Sequence, residues 1–268
     1  MSRSPPPRSR ASRRRPDAPT LDRGVSEVVS FILTFSIITL MVGLLYTAGF
    51  VSMEQLQTGN QMTNAEGVFF AMADSFGELQ EGQAPRRAGS LDLDVGASLS
   101  VNDGSEIHVE VNNATDTTFS RTVVTRSLDY RLQKRSVTYE TGAVFRTSKD
   151  NSAMVREPAG LFCSPSSNSA VVSLVTLVEP DGASVASGTA TISGRQRMTT
   201  LLYPIDRSAT GGIKNVTVDV TSPRASAWNQ HLTEDTGWED PNGDGTFACE
   251  GVDQVFVRHT VIEVRADA

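Results

Sequence analysis

The chain has 268 residues and a mass of 28.8 kDa, enough for one large domain or two small ones with a substantial buried core. Apolar residues make up 38%, and with 21 glycines the composition is that of an ordinary globular protein, which excludes wholesale disorder. The net charge of −7 is unevenly laid: residues 1–24 hold seven arginines against Asp17 and Asp22, a balance of +5, so residues 25–268 carry −12. An acidic body argues against nucleic acid as a partner, because phosphate affinity comes from clustered cations. Only three of the 24 basic residues are lysines, Lys134, Lys149 and Lys214. An acidic, lysine-poor surface suits concentrated salt, where screening removes self-repulsion; a GC-rich genome produces the same bias toward arginine.

From Val28 to Met53 there are 26 residues without a formal charge. At about 1.5 Å per helical residue this run reaches roughly 39 Å, more than the ~30 Å of a hydrocarbon core. Thirteen Leu, Ile, Val or Phe lie between Val28 and Phe50. Each favours insertion by about 0.3 to 0.6 kcal/mol, so residues 25–53 are expected to form a transmembrane helix. A helix this apolar on every side, if it lay in a soluble core, would need protein all around it. The arginine-rich leader is expected to stay cytoplasmic, giving a single pass with the amino terminus in and the acidic bulk outside the cell. A cleaved secretory peptide fits poorly, since the run is too long and no A-x-A-like site closes it.

Arg23-Gly24-Val25-Ser26-Glu27-Val28-Val29, followed by Ser30-Phe31-Ile32-Leu33, resembles the amino-terminal signature of archaeal type IV pilins and pilin-like proteins. The continuation Gly43-Leu44-Leu45-Tyr46-Thr47-Ala48-Gly49-Phe50 is similar to haloarchaeal pilin-like surface proteins. The resemblance implies that a prepilin peptidase cuts after Gly24, removes the leader 1–24 and leaves Val25 as the mature terminus. It implies that the Glu27 carboxylate pairs with the amine of a neighbouring subunit, although the archaeal pattern often has Pro at that place. It further implies the membrane, the pilus assembly machinery, and copies of this chain or other pilins as partners.

Within the apolar run, Ser36, Thr39, Gly43 and Thr47 step by three, four and four and fall on one helix face. Small and hydroxylated residues on one stripe let helices approach closely in lipid. The competing expectation is that these hydroxyls bond back to the preceding turn. Beyond it, Met62, Ala65, Phe69, Met72, Phe76 and Leu79 make an apolar stripe, with Asn64, Glu66, Asp74 and Glu78 off it, so residues 54–82 are expected to form an amphipathic helix or stalk. Thr58-Gly59-Asn60 is expected to weaken that helix near the membrane.

After Gly82-Gln83-Ala84-Pro85 the period changes to two: Leu91, Leu93 and Val95 alternate with Asp92 and Asp94, and Ile107, Val109 and Val111 with His108 and Glu110. Similar runs recur to Val264, separated by Asn-Asp-Gly, Pro-Asp-Gly and Gly-Gly turns. Residues 88–268 are therefore expected to form a mainly antiparallel β-sandwich, and the chain as a whole an α+β protein led by a long helix. Ser222-Pro223 before Ala225, Trp228 and Leu232 predicts one short helix among the strands.

Cys163 and Cys249 lie in this outward part, where they can oxidise to a disulfide; two free thiols are the alternative. Asn113-Ala114-Thr115 and Asn215-Val216-Thr217 are glycosylation sequons. Asp240-Pro241-Asn242-Gly243-Asp244-Gly245 matches the first half of a calcium loop, with Asp240, Asn242 and Asp244 as ligands. The closing Glu is replaced by Gly251, and Glu250 stands one residue early. Calcium is the one cofactor the sequence suggests, and a solvated acidic turn competes with it. The three histidines, His108, His231 and His259, lack metal-ligand spacing, and no nucleophile motif or phosphate loop is present, so no catalytic residue is expected. The reading that follows is a pilin-like filament subunit; the alternative is a permanently anchored β-sandwich that binds a surface ligand and never polymerises.

Overall fold

The computed structural model describes residues 21–93, 95–114, 116–149, 151–179, 184–204, 212–234 and 236–267, with side chains from 27 to 47 and from 58 onward. The protein is α+β, and its β-rich domain is mostly antiparallel. Two compact units divide at residues 56 and 57. The helix α1 (Leu21–Gln80) contributes to both and continues through Thr58-Gly59-Asn60. The expected weakening there does not interrupt it: one glycine costs only ~1 kcal/mol in a helix interior, and helical neighbours on both sides carry it. The helix ends where the sequence places the change of period. Gly82 takes the left-handed conformation at φ 74°, and the Gln83 N–H reaches back to the Glu78 carbonyl at 2.9 Å, a closure that suits a residue without Cβ.

In the second unit the stripe Met62, Ala65, Phe69, Met72, Phe76 and Leu79 is buried throughout. Its off-stripe acids fix the roll of the helix. Glu66 pairs with Arg146 at 3.1 Å, Asp74 with Arg156 at 2.5 Å, and Glu78 with Arg87. Each is partly exposed and adds little stability, but each holds one flank of the helix to a different strand.

The domain is built on two sheets. One has the order β1 (Arg86–Leu93), β10 (Gly188–Tyr203), β13 (Gln254–Asp267), β8 (Ser169–Val178), β7 (Leu161–Ser164). The other runs β12 (Thr246–Glu250), β11 (Ile213–Thr221), β2 (Ala97–Asn113), β3 (Thr117–Leu132), β4 (Arg135–Glu140), β5 (Ala143–Ser148), β6 (Asn151–Arg156), with β9 (Ser184–Val185) beside β2. All pairs are antiparallel except β13 with β8. The first strand, β1, begins at Arg86. Val95, read as a strand position, lies in the turn closed by Gly96 and is almost fully exposed, because β1 ends at Leu93. The short helix expected after Pro223 is α2 (Ala225–Thr233), which buries Ala227, Trp228 and Leu232.

The long strands β2 and β3 serve two apolar clusters in succession. One gathers the helix stripe with Leu99, Leu128, Tyr130 and Tyr139; the other gathers Ile107, Val109, Phe145, Trp228 and Phe247. Between them β2 carries an extra residue at Asp103–Glu106, a bulge that bends the hairpin. A Cβ on Gly104 would collide with Thr125, whose hydroxyl accepts from the Ser105 N–H at 2.8 Å and donates to the Ser105 carbonyl at 2.9 Å. Buried polar groups thus mark the boundary; the Ser105 backbone is satisfied by Thr125, while the Ser105 hydroxyl has no partner among the described residues.

Candidate functional site

The first candidate region is the amino-terminal stretch of α1. Every described residue from Glu27 to Thr47 is exposed, and the stretch has a mean hydropathy of 2.5. It is the one described helix long and apolar enough to cross a membrane, as an anchor or a signal sequence. Arg23, Gly24 and Val25 lie within α1 by their backbone, and residues 1–20 of the leader 1–24 lie outside the described residues. Glu27 stands exposed at the foot of the run.

The stripe Ser36, Thr39, Gly43 and Thr47 is exposed along the same stretch. The Thr39 hydroxyl donates to the Phe35 carbonyl at 2.8 Å and that of Thr47 to the Gly43 carbonyl at 3.1 Å. Both therefore spend their donors within their own helix. A Cβ added at Gly43 would meet nothing within 4 Å, so the position is open.

In the domain, Cys163 and Cys249 are joined, with Cα atoms 5.8 Å apart. Cys163 is on β7 and Cys249 on β12, the edge strands of the two sheets, so the bond staples sheet to sheet. On the chain-entropy account, closing a loop of 86 residues' separation stabilises by about 4.6 kcal/mol, an upper figure. Gly237, at φ 77°, packs against the Cys163 carbonyl where a Cβ would collide.

The two sequons meet at one sheet end. Asn215 lies opposite Asn112 and accepts its side-chain N–H at 3.1 Å, while Asn113 lies opposite Ile213 and accepts the Asp116 N–H at 2.7 Å. Both asparagines are half-buried, and Thr115 of the first sequon lies outside the described residues.

The acidic turn closes on itself. Asp240 accepts the N–H groups of Gly243 at 2.8 Å and Gly245 at 3.1 Å, and Asp244 accepts that of Thr246 at 2.9 Å. Asn242 is exposed, and Glu250 is held on β12 opposite Asn215, a strand position rather than a loop closure. Among the described residues no group of three or more His, Cys, Asp or Glu is placed to hold a metal.

The three histidines stay apart. His231 is on α2, its imidazole pushed below the usual range by burial, with Glu157 and Glu234 acting the other way. His259 on β13 is lowered by burial and by Arg121, and bonds the Thr176 hydroxyl at 2.9 Å. His108 lies between Thr122 at 2.8 Å and Glu110 at 3.1 Å.

Sequence reasoning missed the buried charges. Glu140 is wholly buried and pairs with Arg224, whose guanidinium also lies 5.4 Å from the Phe145 ring centre. Glu263, also buried, faces Arg195, Arg197 and Arg265. Register explains the second group: Arg195 is directly opposite Glu263, and Arg265 follows two residues on, on the same face. The first pair is 84 residues apart, and no local pattern announces it.

These features define a protein with one amino-terminal helix able to cross a membrane and a disulfide-linked, β-rich domain. The chain belongs to the family of unknown function DUF7289, whose model matches residues 23–265. No curated protein matches it, and no solved structure does.

Proposed function

We propose that the protein is a pilin-like subunit, anchored by α1 with its amino terminus cytoplasmic and its β-rich domain outside the cell, then cut after Gly24 and assembled through the helix into a surface filament. The observation that carries this reading is the division of labour along α1. Residues 27–47 are uncharged after Glu27 and exposed on every face, whereas from Met62 to Leu79 the helix supplies a buried stripe to its own domain. A helix that serves its domain with one stretch leaves the other available for copies of itself.

The Gly24–Val25 bond lies near the beginning of α1, where helices fray most readily and a protease at the membrane surface has access. The family match begins at Arg23, so residues 1–22 lie outside the matched region while Arg23, Gly24 and Val25 lie within it. Contact between copies would run along Ser36, Thr39, Gly43 and Thr47. With both threonine hydroxyls spent on their own helix, close packing rather than interhelical hydrogen bonding holds it. The Glu27 carboxylate, two residues from the new amine of Val25, is the group to pair with that amine on a neighbour.

Mass spectrometry of protein recovered from membranes tests cleavage: a mature terminus at Val25 is expected. An intact leader would instead favour the static anchor carrying a binding domain. A full-length chain that stays monomeric and dissolved without detergent would overturn both.

A further inference from the structure

The β3–β6 end of the domain carries a cavity of about 590 Å³ that neither the anchor nor the disulfide uses. Five cations line it, Arg131, Lys134, Arg135, Lys149 and Arg224, in a domain whose charge is strongly negative. Two of the chain's three lysines are among them. The register builds the floor: Arg131 is opposite Ser136, Ser136 opposite Thr147, and Thr147 opposite Ser152, so one guanidinium and three hydroxyls form a cross-strand row. Two tight turns, with Gln133 at φ 55° and Lys149 at φ 57°, bring the remaining cations to the rim. The Lys149 N–H donates to the Lys134 carbonyl at 2.9 Å.

Among the described residues the charge is not cancelled at the rim. Asp129 is the one lining carboxylate among the described residues; it is buried, accepts from Asn102 at 2.5 Å and lies 3.5 Å from Arg131. Lys134, Arg135 and Lys149 form no ion pair among the described residues. At the wall, Arg224 is the deepest cation, its side chain only 10% exposed. One end is committed to Glu140, while its Nε–H has no partner. No aromatic side chain lines the cavity, so stacking of a flat ring has no platform.

We propose that this groove binds a short acidic oligosaccharide, carboxylated or sulfated. The hydroxyls of Ser136, Thr138, Thr147 and Ser152 would match sugar hydroxyls, and the cations would match the acid groups through charge-assisted bonds. The volume falls within the ~300–1,000 Å³ of small-ligand sites. The inference does not depend on whether the chain polymerises.

The test is calorimetric titration of the full chain in detergent micelles at about 0.15 M salt. The probes are a heparin-derived tetrasaccharide, a galacturonate tetrasaccharide, neutral maltotetraose, inorganic phosphate, and a peptide copying the acidic segment 234–253. One or both acidic tetrasaccharides should bind and maltotetraose should not; which acid group binds distinguishes the sulfated from the carboxylated source. The double variant Lys134→Glu/Lys149→Glu, both sites exposed, should keep its melting temperature and lose roughly tenfold or more in affinity, and Arg224→Lys should weaken the same ligand. The proposal is overturned if neither acidic tetrasaccharide binds, if the double variant binds as well as the parent, or if phosphate or the acidic peptide binds as tightly as the sugars.

Discussion

Two stretches of α1 differ in apolar pattern and meet opposite fates. From Val28 to Thr47 the apolar side chains cover every face and all are exposed; between Met62 and Leu79 the stripe Met62, Ala65, Phe69, Met72, Phe76 and Leu79 is buried, while Ala71 off it is exposed. Periodicity as well as the amount of apolar surface separates them. A stripe of period 3.6 matches a single packing partner, whereas an all-round apolar surface can be satisfied only by a medium or by several helices.

The comparison breaks most visibly at Phe76 and Leu40. Phe76→Ala removes a buried ring that packs edge-on against Tyr139 at 5.1 Å between centres. It should lower the stability of the β-rich domain by about 3–5 kcal/mol in a denaturant titration. Leu40→Ala should leave the same titration within ~0.5 kcal/mol. Leu40→Asp should raise the cost of insertion by roughly 3 kcal/mol and shift the protein out of the membrane fraction. Equal effects of Phe76→Ala and Leu40→Ala on domain stability would show the two stretches to be alike.

A smaller effect sharpens the fit on the buried side. Gly194 on β10 lies under the Phe76 ring, where an added Cβ would collide. Gly194→Ala should cost about 1–3 kcal/mol through overpacking, and much less once Phe76 is Leu. An unchanged melting temperature for Gly194→Ala would mean that helix and sheet are not in close contact there.

The smallest difference is one of pH. Val28 to Met53 carries no formal charge, while the domain holds His231 and His259 with imidazoles below their ordinary range, chiefly through burial. A depressed folded-state value means that the unfolded chain takes up the proton first. Their contribution is present above the ordinary imidazole pKa of about 6.5 and is lost as pH falls through the lowered value. Acidification from about pH 7.5 to about 5.5 should therefore lower the melting temperature of the domain, less so in His231→Gln, and leave membrane retention unchanged. An equal loss in His231→Gln would remove that histidine from the account.

Much of the fold was legible residue by residue. The stripe Met62 to Leu79, the alternation at Ile107, Val109 and Val111, and the short helix after Pro223 all depend on local periodicity, and each is found where the sequence places it. Val95 misled because alternation continues past the last hydrogen-bonded pair, Leu93 with Gly188, and pairing is what ends a strand. Of the candidate sites, the sequons were legible as motifs, but their convergence through Asn112 and Asn215 was not. The cation groove was least legible, since Lys134, Lys149 and Arg224 sit on three separate turns and loops that share no pattern.

By itself the sequence determined where the chain is apolar on one side, on alternate sides or on all sides, because those are properties of neighbours within a few residues. Only the tertiary structure decided which edges Cys163 and Cys249 staple, that Glu140 is buried with Arg224, and that five cations converge on one hydroxyl-lined cavity. Those depend on strand order and register. Both are fixed by the whole pattern of pairing and burial, which no local stretch of residues contains.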